Sequence, residues 1–258
     1  MRRLNLPELE DQPWFPAWLR DAMTGYLQVI IEMARPYDVA APVLASLLEA
    51  SPTTDVVDLA SGAGGPWRQL MSVLRAQGLS PRVTLTDLSP NQTSAAQLKG
   101  EEGLAYHLSS VSAADIPEDL GGVRTMFTAL HHFSPDEVRD ILRSAQRERV
   151  AFAGFEATQR SWRGVILTAF IPLLVLVLMP RVKPRSAAAL ILTYLPPILP
   201  LLIWWDGLAS TLRTHSPGEL RALVAEIAEP GYSWSVEEVQ VPRAPIPVLQ
   251  IVGRPEGP

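Results

Sequence analysis

A chain of 258 residues with a formal charge of −5 suits one α/β domain with insertions, and that charge argues against a general nucleic-acid binder, which neutralises phosphates with clustered excess Lys and Arg. Without a cysteine the chain has no disulfide, no thiolate zinc site and no cysteine nucleophile. Hydrophobic residues at 47% against 19% charged make it greasier than an average soluble domain, yet no apolar run follows Met1-Arg2-Arg3 to form a secretory signal, so a cytoplasmic protein is expected.

Residues 12–50 read as helical and aromatic-rich (Trp14, Phe15, Trp18, Tyr26), punctuated by Pro36 and Pro42, with a second helix over 39–50. Residues 54–59 form an apolar, β-branched strand that ends in Ala60-Ser61-Gly62-Ala63-Gly64-Gly65. Leu70, Met71, Val73 and Leu74 then recur at helical spacing. A second strand over 82–87 carries Asp87 at its C-terminal end, and 91–99 reads as a helix. A weak strand over 104–108 precedes a loop over 113–117 that holds Asp115. A strong strand over 123–130 ends at His131-His132. Ser134, Pro135 and Glu137 make a capping box with proline at the first helical position, opening a helix to about residue 147. The fifth strand, 149–155, ends at Glu156.

Strand and helix thus alternate five times, which specifies a parallel sheet with helices on both faces. The alternation then stops. Residues 164–180 and 187–205 are uncharged apolar runs around the basic turn Arg181-Val182-Lys183-Pro184-Arg185. Ser216 and Glu219 make a second capping box, and 232–241 and 246–252 are strands with no helix between them, hence an antiparallel hairpin. The expected fold is α/β: a Rossmann-like parallel sheet with a C-terminal antiparallel β-hairpin, N-terminal helices and an apolar helical insertion after the fifth strand. The parts are a helical cap over 1–50, a ligand-binding domain over 51–161 and 211–258, and the insertion over 162–210.

The glycine turn after the first strand lets backbone approach a ligand closely, where open α/β sheets bind ligands beyond their carboxyl ends. An acid closing the second strand, as Asp87 does, accepts hydrogen bonds from two ribose hydroxyls. Both features also fit a nicotinamide dehydrogenase. Against that reading stand the G-x-G-G spacing with Asp58 just upstream, the third acid Asp115 where an adenine amino group could be read, and the terminal hairpin in place of a sixth parallel strand. No Tyr-x-x-x-Lys pair is present.

The stretch Val56-Val57-Asp58-Leu59-Ala60-Ser61-Gly62-Ala63-Gly64-Gly65 resembles motif I of class I S-adenosylmethionine-dependent methyltransferases. Thr86-Asp87-Leu88-Ser89 resembles their ribose-binding motif, Ala114-Asp115-Ile116-Pro117 their adenine loop, and Phe127-Thr128-Ala129-Leu130-His131-His132-Phe133 their fourth-strand motif. The resemblance covers about 54–156 and resumes over about 216–253. It implies S-adenosyl-L-methionine as cofactor. Ala60, Gly62 and Gly64 would pass under its methionine part, and Asp58 would hold its amino group directly or through water. Asp87 would take the ribose hydroxyls, Leu88 and Ile116 would pack on the adenine, Asp115 would accept its amino proton, and Thr128 would line the site.

Methyl transfer is an in-line displacement for which a protein supplies orientation and a dry site. His131 and His132, expected to face the acceptor, and Glu156 are the candidate bases, since an ordinary histidine titrates at about pH 6.5. His107 and His215 read as structural. No metal is expected, because no cluster has metal-ligand spacing. The expected acceptor is a small, apolar or aromatic molecule. Pro172, Pro196, Pro197 and Pro200 interrupt the two greasy runs, so an interfacial hairpin or a buried lid is expected in place of spanning helices. As a hairpin it would set Trp204 and Trp205 at headgroup depth; as a lid it would pack on Trp14, Phe15 and Trp18. Two other classes stay open: a membrane-associated protein that binds S-adenosylmethionine without methyl transfer, and a nicotinamide oxidoreductase.

Overall fold

The computed structural model describes residues 1–242 and 244–256. Helices α1 (Ala17–Ala34) and α2 (Ala40–Ala50), joined by a 3-10 turn, precede the sheet. The sheet units follow in order: β1 (Asp55–Leu59), α3 (Trp67–Ala76), β2 (Arg82–Leu85), α4 (Gln92–Leu98), β3 (Leu104–Tyr106), β4 (Val123–Phe127), α5 (Pro135–Arg147) and β5 (Phe152–Glu156). Four helices form the insertion: α6 (Trp162–Thr168), α7 (Ile171–Leu178), α8 (Ala187–Tyr194) and α9 (Ile198–Arg213). Then come α10 (Pro217–Ile227), β6 (Tyr232–Val239) and β7 (Val248–Pro255).

The strands make a seven-stranded sheet in the order β3-β2-β1-β4-β5-β7-β6. Neighbours among β1 to β5 run parallel, and β7 runs antiparallel to both β5 and β6. The chain builds outward from β1 to β3, then returns to β4 on the other side. The crevice at the carboxyl ends of β1 and β4 is therefore the topological switch point, where such sheets bind ligands.

Side-chain alternation explains the two core layers. Val56 faces one side, with Leu44, Leu47, Trp67, Leu70 and Leu74 of α2 and α3. Val57 faces the other, with Ile141 and Leu142 of α5 and Leu220 and Leu223 of α10. Both expected capping boxes form, with Ser134 and Glu137 opening α5 and Ser216 and Glu219 opening α10. A third cluster joins α1 to the insertion: Phe15, Met23 and Tyr26 pack with Val175, Leu178, Leu199 and Ile203.

Several boundaries differ from the sequence reading, among them β2, which ends at Leu85, and β5, which starts at Phe152. The fourth strand stops at Phe127, because Thr128 takes a left-handed φ of 46° and residues 130–132 coil into a 3-10 turn. The last strand starts two residues late and runs further, to Pro255; Pro245 and Pro247 lack the N–H that pairing requires. Each greasy run divides into two helices. The first bends by 42° just before Pro172, which sits in the opening turn of α7 and not at the break; the second bends by 85° around Pro196 and Pro197. Trp14 and Trp18 are exposed, and only Phe15 of that trio is buried against the insertion.

Leu142 is fully buried between α5 and the sheet. Leu142→Ala is expected to destabilise the fold by about 2–5 kcal/mol in urea denaturation, with no loss of the α/β circular-dichroism signature.

Candidate active site

The turn after β1 is held by side chains of three strands' ends. Asp58 is buried; its Oδ1 accepts from Thr125 Oγ1 at 2.6 Å and its Oδ2 from Ser61 Oγ at 2.6 Å. Burial pushes its carboxyl up to about 6, against the pull of those two hydroxyls. Its carbonyl accepts from the Thr86 hydroxyl at 2.8 Å, and Ser61 N–H donates to Thr86 O at 2.9 Å, which pins the turn to the end of β2. Ala60 is thereby held at φ 52°, a conformation that carries strain for a residue with a Cβ. Gly62 and Gly64 follow at φ 50° and 100°, and among the described residues nothing stands within 4 Å of where a Gly62 Cβ would be, so the turn is open at that point.

Asp87 lies at the edge of that turn. Its Oδ2 accepts Gly62 N–H at 2.9 Å and its Oδ1 accepts Ser89 N–H at 2.8 Å, while Tyr106 Oη donates to Gly62 O at 2.9 Å. Leu88 beside it is 69% exposed, free to cover a ligand. Val111 N–H on Asp87 O, at 2.9 Å, brings the next loop alongside; there Asp115 is exposed and Ile116 half-buried. Glycine turn, Asp87 and the Asp115 loop thus share the carboxyl edge of adjacent strands.

At the end of β4, Thr128 is a second strained residue, fixed by its N–H on Phe155 O at 2.6 Å, by Tyr37 Oη on its hydroxyl, and by Ala157 N–H donating to that hydroxyl at 3.0 Å. His131 is buried, with Nδ1 3.1 Å from Glu156 Oε1; Thr158 Oγ1 donates to the same oxygen at 2.8 Å. Burial opposes the charge on Glu156, but His131 and Thr158 hold its carboxyl below the usual range.

His131 is buried, and the His132 side chain is 29% exposed. Residues 3–11 lie across them as a strap. Leu9 and Glu10 N–H groups donate to the Asp206 carboxylate at 2.7 and 3.1 Å, and Trp205 Nε1 donates to Pro7 O at 3.0 Å, so Trp205 helps anchor the strap. Arg213 donates to His131 O at 3.2 Å and His132 O at 2.6 Å, and its Nη1 stands 3.3 Å from Glu8 Oε1 and 3.4 Å from Asp11 Oδ2. His132 Nδ1 is 3.1 Å from Asp11 Oδ2. His215 Nε2 sits 3.1 Å from Phe133 O, in keeping with a structural place.

Spacing along the chain gave no metal cluster, but folding brings Glu8 to His131 and His132 with donor atoms within 4.8 Å of one another. Glu8 lies too far upstream for spacing to reveal the group. Arg213 already supplies a cation at the same Glu8 oxygen. Sequence reading also missed Tyr37 on Thr128 and Tyr106 on the glycine turn, which carry no local motif. A cavity of about 720 Å³ adjoins the turn through Ala63, between α1, Asn91 of the α4 entry and the basic residues Arg181, Lys183 and Arg185.

No family model matches the chain, and no curated protein matches it in sequence. Solved structures match it in shape. The plantazolicin methyltransferase BpumL in complex with SAH matches at TM-score 0.54 and 9% identity, over 93% of this chain and 96% of that one. Human N-acetylserotonin methyltransferase in complex with SAM matches at 0.52 and 14%, over 99% and 63%. The citrinin polyketide synthase CMeT domain matches at 0.50 and 15%, over 85% of this chain and 52% of that one, so the chain spans about half its length. The chain has the fold of class I S-adenosylmethionine-dependent methyltransferases. A structure named as a putative Zn-dependent alcohol dehydrogenase from Rhodobacter sphaeroides matches at 0.51 and 16%, over 92% and 98%, and at such identity the likeness again speaks to fold alone.

The strap contacts titrate. Burial raises Glu10 to about 8 and Asp206 to about 6, and His132 reaches about 9 because Asp11, Glu8 and Glu10 outweigh its burial. Each holds its proton more tightly folded than unfolded, so its contribution is complete in acid and is lost as pH rises through those values. Asp11, where His132 and Arg213 outweigh burial, and Glu156 are depressed and act oppositely, losing theirs below the ordinary carboxylate range. The thermal midpoint is expected to fall from about pH 6 to about pH 9, with His132→Gln flattening the upper part. A midpoint that rises over that interval would contradict the assignment.

Proposed function

We propose that this chain is an S-adenosyl-L-methionine-dependent methyltransferase acting on a small, lipophilic or aromatic acceptor, with its apolar insertion, residues 164–205, placed at a membrane surface. The observation that carries the reading is the strained, open glycine turn bonded to Asp87 at the switch point of the sheet. These residues fit the cofactor: backbone free of side chains at Gly62 and Gly64, an acid at the end of β2, and an exposed apolar cover at Leu88. When bound, the cofactor supplies an electrophilic sulfonium methyl. Asp87 would accept the ribose hydroxyls on the lone pairs that Gly62 and Ser89 leave free. Asp58, both of whose oxygens already accept hydroxyls, would act by bracing the turn, and would reach the methionine end only through water.

His131 would serve as base for a hydroxyl acceptor. Glu156 fixes its Nδ1 side, which leaves Nε2 to take a proton once the strap and Glu8 move aside. His132 is the less suited of the pair, since its proton is held to about pH 9 by Asp11 and its neighbours. An apolar acceptor fits the surroundings, with Phe127, Tyr37 and Phe155 clustered behind Thr128 and the greasy insertion beside the strap.

Calorimetric titration of S-adenosylhomocysteine is expected to show binding by the wild type and a loss of roughly tenfold or more in Asp87→Ala, in line with about 1.5–3 kcal/mol for a charge-assisted hydrogen bond. A folded wild type that binds nicotinamide dinucleotide instead would overturn the reading. With an acceptor in hand, His131→Ala is expected to lower kcat by about a hundredfold while leaving cofactor affinity intact. A change in cofactor affinity alone would make His131 a lining residue.

A further inference from the structure

Among the described residues, the outer faces of the insertion helices have no protein partner. Ile166, Phe170, Leu173 and Val177 are exposed along α6 and α7, and Ile191, Leu195, Ile198 and Leu201 along α8 and α9. Within one helix, a step of four sets Leu173 and Val177 on one face of α7, and a step of three sets Ile198 and Leu201 on one face of α9. The opposite faces are spent on α1, through Val175, Leu178, Leu199 and Ile203. Tyr194 Oη donates to Leu176 O at 2.7 Å and ties α8 to α7. Exposed large apolar side chains gathered in one insertion mark an interaction site.

Charge selects the occupant. Between Glu156 and Asp206 there is no acid, whereas Arg160, Arg163, Arg181, Lys183 and Arg185 all fall there, in a chain whose net charge is −5. Arg160 is paired with Glu219, but Arg163, Arg181, Lys183 and Arg185 are exposed. A second copy of this face would bring no acid to meet them, whereas anionic headgroups would. Depth follows from the bends: no single described helix is long and apolar enough to cross a membrane, and the two helix pairs turn by 42° and 85°. Trp162, 73% exposed at the start of α6, suits the headgroup boundary.

We propose that the outer face of α6 to α9 docks shallowly on an anionic lipid leaflet, with Arg181, Lys183 and Arg185 on the headgroups and the adjoining cavity opening at the lipid surface. This deepens the membrane placement made above and rests on it, but does not depend on methyl transfer. The cavity joins the basic turn to Ala63 of the glycine turn, so a molecule resident in the leaflet would reach the site without crossing bulk water.

Flotation of the whole chain with phosphatidylcholine vesicles, with and without phosphatidylglycerol, tests it. The wild type is expected to float with the anionic vesicles, to be released by alkaline carbonate, and to lose about fivefold in affinity for each of Arg181, Lys183 and Arg185 replaced by Gln. Leu173→Ser combined with Leu195→Ser is expected to abolish flotation while leaving S-adenosylhomocysteine binding unchanged. That parallel titration separates failure of docking from failure of the methyltransferase reading. No flotation by folded wild type, equal binding to both vesicles, retention after carbonate, or a dimer that buries Leu173 and Leu195 would each overturn the proposal.

Discussion

One buried carboxylate organises the ligand-binding edge. Asp58 stands near the end of β1 and takes hydroxyls from the turn that follows it and from β4, while its carbonyl takes one from Thr86, the residue after β2. Three strand ends and the glycine turn are thus fixed relative to one another by a single residue. The left-handed backbone at Ala60 is over-determined by these bonds, which is how such strain persists. Removing the carboxylate would leave buried hydroxyl donors unpaired, a cost larger than the bonds themselves contribute. Everything that could touch a cofactor hangs on this bracing, because Gly62 and Asp87 are bonded to each other across it.

The same logic separates what the sequence made legible from what it did not. Local rules located the sheet. Val56 and Val57 send side chains to opposite layers, Ser134 and Ser216 sit at true helix starts, and the acid after β2 lands beside the glycines. The terminal hairpin was readable too, from two strands with no helix between them; that β7 would slot between β5 and β6 was not, since nothing local selects a strand's outer neighbour.

The candidate base region was legible only in part. Glu156 ends β5 and His131 lies in the 3-10 turn that follows β4, and parallel pairing of β4 with β5 brings the two within 3.1 Å. Glu8 and Asp11 sit in a stretch with no periodicity, so their approach to the histidines is a tertiary fact alone. Asp206 and Arg213, both on α9, tie down the strap. Pro172 opens α7 and does not break it, because proline in a first helical turn starts a helix as readily as an internal one breaks it.

The strap has a consequence for how the molecule is made. Arg3 finds its partner at Arg213, 210 residues later, and Leu9 finds Asp206, 197 residues later. Synthesis from the N-terminal side presents Arg3 and Leu9 long before Arg213 and Asp206. Closing so long a loop yields nothing until both sides exist. The strap is therefore a late event in folding: the sheet and its binding edge can assemble while the entrance over His131 still stands open. A small molecule present during synthesis would meet the site in that unlatched form.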